Sequence, residues 1–247
     1  MSWYTNSKQF KDENGYDIDG IWYPRVTAIV SIKSKPALYQ YYANMPDFKT
    51  AETVKEKSAE EGTLIHDTVE AILKGESPAI PEIIAPAVGA FMNFINNNEI
   101  NAHKVEERIL SKKHRYSGTL DVLAEVNGVL GVLDIKTSKA IYRDYNIQTS
   151  AYVEALIENP MMPALSRWIL RIDQNKKCIK CGASLRTKGG NEKITTVYAS
   201  APCNHEWADI KGECELKELK NYDHDIKAFL ACKTLWEWEN DYWLKQI

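Results

Sequence analysis

Two apolar runs near the middle of the chain, Ser117 to Val126 and Val129 to Thr137, are separated only by Asn127 and Gly128. An Asn-Gly pair between such runs predicts a hairpin with a two-residue turn. Leu120, Val122, Leu123, Val132, Leu133 and Ile135 put apolar residues on both faces, which predicts strands covered on both sides. With that turn Val126 pairs with Val129, and counting outward sets Asp121 opposite Asp134. Lys136, two residues beyond Asp134, projects to the same side.

The remaining pattern predicts helices alternating with strands. Tyr23 to Ile32 reads as a short strand and turn entering a helix. Lys35 to Lys74 reads as mostly helical, interrupted near Pro46, with Glu60-Glu61-Gly62 leading into a helix that carries His66. Pro78, Pro81 and Pro86 punctuate the approach to a helix from Ala85 to Asn97. Strands are expected at Lys104–Leu110, Trp168–Ile172 and Glu213–Leu219, and helices at Asp144–Ile157 and Asp223–Lys245. This order predicts an α/β fold: a central mixed β-sheet flanked by helices, with an N-terminal helical portion. One domain is expected over residues 1–247, with a Cys- and His-bearing insertion at 174–212.

Composition narrows the class. The chain has 247 residues, 44% hydrophobic and 26% charged, which suits one sizeable soluble domain. No apolar run is long enough to span a membrane, and the start, Met-Ser-Trp-Tyr-Thr-Asn, has no signal-peptide pattern. A cytoplasmic setting with reduced cysteines is therefore expected. A net charge of −3 argues against a general nucleic-acid coat. Local charge differs: Lys176 to Lys193 holds Lys176, Lys177, Lys180, Arg186, Lys188 and Lys193 against Glu192 alone, and Lys112, Lys113 and Arg115 form a second cluster. These are either solvated loop charges or contacts to phosphates. Tyr39, Tyr41 and Tyr42 either pack or offer faces on which bases stack.

The chemistry begins with the carboxylates. An isolated Asp-x-Lys is ordinarily a solvated ion pair, but the apolar neighbours here argue for burial. Two buried carboxylates facing each other need a cation or a shared proton, and oxygen ligands suit Mg²⁺ or Mn²⁺. Gln148 and Tyr152 share a helix face. Cys178-Ile-Lys-Cys181, followed by Cys203-Asn-His205, has ligands for tetrahedral Zn²⁺, with Cys214 as an alternative to His205. Unligated thiols are the other reading. Cys232, inside an apolar run, reads as core.

Gly62-Thr-Leu-Ile-His66, Gly118-Thr-Leu-Asp121, Asp134-Ile-Lys136-Thr137 and Gln148-Thr-Ser-Ala-Tyr152 together resemble the ordered motifs of the PD-(D/E)XK nucleases, RecB-like branch. The resemblance runs from about Trp22 to the helix of Phe229 to Trp238. It implies a restriction-endonuclease-like core and a divalent-metal-dependent deoxyribonuclease. His66, Asp121, Asp134 and the backbone carbonyl of Ile135 would be metal ligands, and Lys136 would stabilise the phosphorane. Gln148 and Tyr152 would lie beside the site. The family also has a glutamate on the strand leading into the hairpin. Alternation with Val105 and Ile109 favours Glu107 over Glu106 for that metal-proximal role, against a solvated strand-edge residue.

Several family members hold a [4Fe–4S] cluster with one cysteine before the histidine motif and three near the C-terminus. No cysteine here precedes Cys178, so that arrangement cannot form, and an iron–sulfur cluster stands behind zinc as the alternative. The function implied is an exonuclease on single-stranded or resected DNA ends, in recombination, repair or degradation, inside a prokaryotic or virus-infected cell. A recombinase or single-strand-binding protein is a natural partner. The alternatives are a non-catalytic DNA-binding subunit of a recombination complex and an endonuclease on the same fold.

Overall fold

A computed structural model describes residues 4–196 and 202–247. The chain begins with α1 (Ser7–Asn14), the ribbon β1 (Gly15–Ile18) and β2 (Ile21–Pro24), α2 (Val26–Val30) and α3 (Pro36–Ala43). A long helix α4 (Phe48–Leu73) and α5 (Ala85–Asn97) follow. Next come β3 (Ile100–Ser111), β4 (Tyr116–Val126), β5 (Val129–Lys136), α6 (Asp144–Ile157) and β6 (Ser166–Lys177). The chain closes with β7 (Ser184–Lys188), β8 (Asn191–Thr195), β9 (Lys211–Glu218), α7 (Tyr222–Glu239) and α8 (Asp241–Leu244). Among the described residues no helix is long and apolar enough to cross a membrane.

The fold is α/β, with a mixed seven-stranded sheet ordered β3-β4-β5-β6-β7-β8 and β9 paired to β6. Strand β5 runs parallel to β6, joined through α6, and the other pairings are antiparallel. Asn127 and Gly128 both take positive φ, the condition of a type I′ turn. Val126 pairs with Val129 and Val122 with Leu133, as the turn predicts, and one further step sets Asp121 beside Asp134.

A hydrophobic core lies on each side of the sheet, which explains the two-faced apolar strands. On one side Phe10, Val26, Tyr116, Leu120, Tyr152, Phe229 and Trp236 pack α1, α2, α6 and α7 together. On the other Ile65, Val69, Val88, Phe91, Val122, Leu133 and Ile135 seat α4 and α5. Leu120 and Val122 lie two residues apart yet belong to opposite cores. The alternation therefore reverses at Asp121. Across from it, Glu106 is left-handed at φ 57°.

Three elements differ from the expected pattern. Helix α4 runs unbroken through Gly62, whose missing Cβ leaves room for Thr137 Oγ1, 2.7 Å from where that Cβ would stand. Strand β6 continues past Ile172 because its polar residues are buried with partners: Gln174 bonds Ala87 N and Ile83 O, and Asp173 accepts from Arg186. The C-terminal helix breaks at Asn240, whose side chain turns back to Trp236 O. Trp236 packs against Phe10 and Trp22, whereas Trp238 is exposed. Cys232 packs partly buried against the first core, as expected.

Candidate carboxylate site and Cys3His group

The hairpin β4–β5 and helix α4 bring His66, Asp121, Asp134 and Lys136 to one place. Asp121 lies where the face of β4 reverses, and its Oδ2 accepts from Ile135 N at 2.7 Å. The side chain thus takes a bond that the strand ladder would otherwise fill, and it brings the Ile135 backbone against the carboxylate. The same oxygen lies 3.1 Å from His66 Nε2. Burial pushes the Asp121 carboxyl up, but the His66 hydrogen bond and the Lys136 charge outweigh it and hold the group below its ordinary range.

Asp134 is fully buried. Lys136 Nζ lies 2.6 Å from its Oδ2, yet neither carboxylate oxygen has a well-directed hydrogen-bond donor. Burial and the neighbouring Asp121 raise its affinity for a proton, with Lys136 opposing. Lys136 stays charged, because Asp134 and Asp121 more than offset the burial of its ammonium. Its Nζ also lies 5.3 Å from the centre of the Tyr145 ring.

Two acids complete the cluster. Glu70, one turn after His66 on α4, puts Oε1 2.6 Å from His66 Nδ1. Both ring nitrogens of His66 thus face a carboxylate, although Glu70 Oε1 has no well-directed donor, and Asp121 and Glu70 raise the imidazole to about 10 against the effect of burial. A carboxylate on the second imidazole nitrogen fixes the tautomer and direction of a metal-binding histidine. The i, i+4 spacing of His66 and Glu70 is the signal that could have found it. Glu106, exposed on β3 and opposite Asp121 in the ladder, is the second acid. Burial, a hydrogen bond with Glu70 and the Asp121 charge raise it to about 7, with His66 opposing.

Glu107, favoured by alternation, is not brought to the cluster. It pairs with Lys104 at 2.6 Å, across from Leu120. The left-handed residue at 106 and the reversal at Asp121 defeat a simple odd–even count. Counting back from the loop between Ser111 and Tyr116, which pair in the ladder, would have set Glu106 opposite Asp121.

His66 and the carboxylates around it offer the oxygen and nitrogen donors that a metal ion takes. Ligands in neighbouring positions of an octahedral ion, each about 2.0–2.1 Å from it, stand about 3 Å apart. The separation of His66 Nε2 and Asp121 Oδ2 matches that. Glu70, Glu106, Asp121 and Asp134 outnumber His66 and Lys136, and His66, Asp67 and Glu70 bring ligand atoms within 4.8 Å of one another. Neither Asp121 nor Asp134 is a member of that triplet, though the Asp134 oxygens lack directed donors.

Gln148 Nε2 donates to Tyr152 Oη at 2.7 Å, so the expected pair forms on α6. Tyr152 is buried, and burial together with Asp134 and Asp121 holds its hydroxyl protonated well above the usual tyrosine range. Its ring fills the space that Gly118 leaves, 2.9 Å from where a Cβ would stand. A cleft of about 310 Å³ opens beside the cluster, lined by Gly62, His66, Asp67, Ile135, Lys136 and Thr137 among others. Larger clefts of about 650 and 800 Å³ lie elsewhere and are lined by neither His66 nor Lys136.

In the insertion, Cys178, Cys181, Cys203 and His205 gather with all four ligand atoms within 4.8 Å, a group that could hold a metal such as zinc. Cys178 N donates to Ala183 O and Gly182 N to Cys178 O, closing the turn between the first two thiols. The tight Cys203-Asn-His205 spacing still delivers both side chains, with His205 Nδ1 3.4 Å from Cys181 Sγ. Cys214 is not part of the group. It lies on β9 opposite Ile172, packs against the second core, and burial pushes its thiol up to about 12.

Of the tyrosines on α3, Tyr41 donates to Ala51 O and Tyr42 bonds Glu52 and stacks on Phe48, so both pack α3 against α4. Tyr39 is exposed. No family model matches the chain, and neither does any curated protein.

Proposed function

We propose that this protein is a divalent-metal-dependent deoxyribonuclease of the PD-(D/E)XK kind on a restriction-endonuclease-like core, acting as an exonuclease on single-stranded or resected DNA ends. The observation that carries the reading is Asp134: wholly buried, without a directed donor on either oxygen, beside Asp121 and within reach of Lys136. A structural ion pair has no need of the second aspartate. A cation-binding site does.

Mg²⁺ or Mn²⁺ bound there supplies Lewis-acid polarisation of the scissile phosphate and a water of lowered pKa. His66, Asp121, Asp134 and the Ile135 carbonyl would hold the ion. Glu70, with Oε1 2.6 Å from Nδ1, would orient the His66 ring. His66, and Glu106 if it joined the ligands, would have to lose their protons to hold the ion, because both bind a proton more tightly than usual. Lys136 remains charged and faces the charge that develops on the phosphorus oxygens as the water oxygen bonds to phosphorus and the ester oxygen leaves. Gln148 and the buried Tyr152 hold one another on α6 and would lie beside the site.

The test is direct. End-labelled linear single-stranded DNA and a closed single-stranded circle are incubated with the purified chain and Mn²⁺, Mg²⁺ or EDTA. Metal-dependent loss of the linear strand alone is expected. Cutting of the circle would make the protein an endonuclease, and cutting of neither would leave a DNA-binding subunit.

We assign zinc to Cys178, Cys181, Cys203 and His205, since three thiolates and an imidazole suit a closed tetrahedral site. The purified protein is expected to contain about one equivalent of zinc per chain. A brown protein with visible iron–sulfur absorbance would overturn the assignment.

A further inference from the structure

The insertion's hairpin, β7–β8, reaches back to the carboxylate site. Its turn seats on α4: Gly189 N donates to Glu61 Oε2 at 3.2 Å. A Cβ on Gly189 would lie 2.3 Å from Ser58 Oγ and 2.5 Å from Val54 O, and its φ is +59°. Only glycine permits so close an approach in that conformation. The contact is with the helix that carries His66. From the other side, Arg186 Nη2 and Lys188 Nζ both donate to Thr137 O, at 3.0 and 2.6 Å, one residue beyond Lys136. The hairpin thus rests between the two elements that build the site, and it starts just after the Cys178–Cys181 turn.

The charges on this hairpin are not balanced. Arg186 pairs directly across the strands with Lys193, an arrangement in which like charges destabilise a sheet. Lys188, two residues along β7 from Arg186, shares its face. Asp173 neutralises Arg186, with contacts of 2.7 and 2.8 Å to its Nε. Among the described residues no carboxylate pairs with Lys139, Lys188 or Lys193, and Lys139 and Lys193 are exposed. Burial first, then Lys193 and Arg186, hold Lys139 below its ordinary range. Burial and Arg186 bring Lys188 down to about 8. Lys139 follows two residues after the Thr137 carbonyl that Arg186 and Lys188 grip, so three cations without a carboxylate partner stand on one hairpin and the segment it holds.

We propose that Lys139, Lys188 and Lys193 form a second phosphate-binding site, which grips the backbone of a nucleic-acid strand next to the scissile phosphate and is set in place by the metal-bound insertion. The proposal rests on the nuclease reading and names the surface along which its substrate lies. It gives the acidic chain a local basic track and gives the Cys3His group a purpose at the active site.

The exposed pair tests it. Lys139→Ala/Lys193→Ala is made in a Lys136→Ala background, and binding of a labelled oligothymidylate is followed by anisotropy across a KCl titration. Affinity is expected to fall roughly tenfold, and the salt slope to flatten by about 1.4, since each lost single-strand contact removes about 0.7. Lys8→Ala/Lys227→Ala, which removes equal charge from exposed positions elsewhere, is expected to leave both readouts nearly unchanged. Unchanged binding in the Lys139/Lys193 variant, or an equal loss in the control, overturns the site while leaving the nuclease reading intact. No oligonucleotide binding in the Lys136→Ala parent itself overturns both.

Discussion

Lys136→Ala is expected to lower kcat on a linear single strand by roughly 10²–10³, the range for losing one preorganised charge at a developing oxyanion. KM is expected to change little, because the lysine is spent on the transition state and not on gripping the strand. The chain is expected to fold. Burial and Asp121 already favour protonation of Asp134, so once the ammonium is gone that carboxyl neutralises itself and leaves no unpaired buried charge. Lys136→Arg is expected to recover only part of the rate, since a planar guanidinium does not replace a compact ammonium 2.6 Å from Asp134. Single-turnover cleavage alongside a thermal melt separates chemistry from folding. A Lys136→Ala protein that melts like the parent and cuts as fast would remove this lysine from the mechanism.

The part of the site that can be read from sequence is the part fixed by counting. A two-residue turn leaves one register, so Asp121, Asp134 and Lys136 follow from Asn127-Gly128 by arithmetic. Helical spacing likewise delivers Gln148 and Tyr152 to one face, and it would have delivered Glu70 beside His66. Counting fails where the backbone departs from its period. Glu106 reaches the cluster and Glu107 does not because one left-handed residue sits opposite the point where β4 exchanges cores. The second half of β6 is illegible for another reason. Its residues are polar yet buried, and their partners Arg186, Ile83 and Ala87 are distant in sequence. The contact of the insertion with α4 is hidden in the same way, since nothing local to Gly189 names Ser58 or Glu61 as neighbours.

Arg167→Ala is expected to destabilise the fold by about 3–5 kcal/mol, the cost of breaking a buried ion pair from one side. Arg167 is nearly inaccessible at 2% exposure and sits in β6. Its guanidinium donates to Asn146 O on α6, to Lys220 O ahead of α7, and to Asp225 Oδ2 within α7. One side chain therefore joins the sheet to α6 and α7, two of the four helices of the first core. The alanine variant strands the buried Asp225 with Asn146 Nδ2, 3.2 Å from the same oxygen, as its remaining side-chain donor. For a chain of this size the loss corresponds to a melting point lower by roughly 6–20 °C. The double change Arg167→Met/Asp225→Leu is expected to cost less than Arg167→Ala, because it removes both charges and keeps most of the volume. If the double variant proves the weaker of the two, the pair contributes net attraction and not merely the avoidance of an unpaired charge. Below its melting point the Arg167→Ala protein is expected to retain cleavage, since Arg167 touches none of His66, Asp121, Asp134 or Lys136. On the proposed reading stability and chemistry thus rest on different charged groups: one pair ties α6 and α7 to the sheet, and the other cluster would keep its charge for a cation and a phosphate.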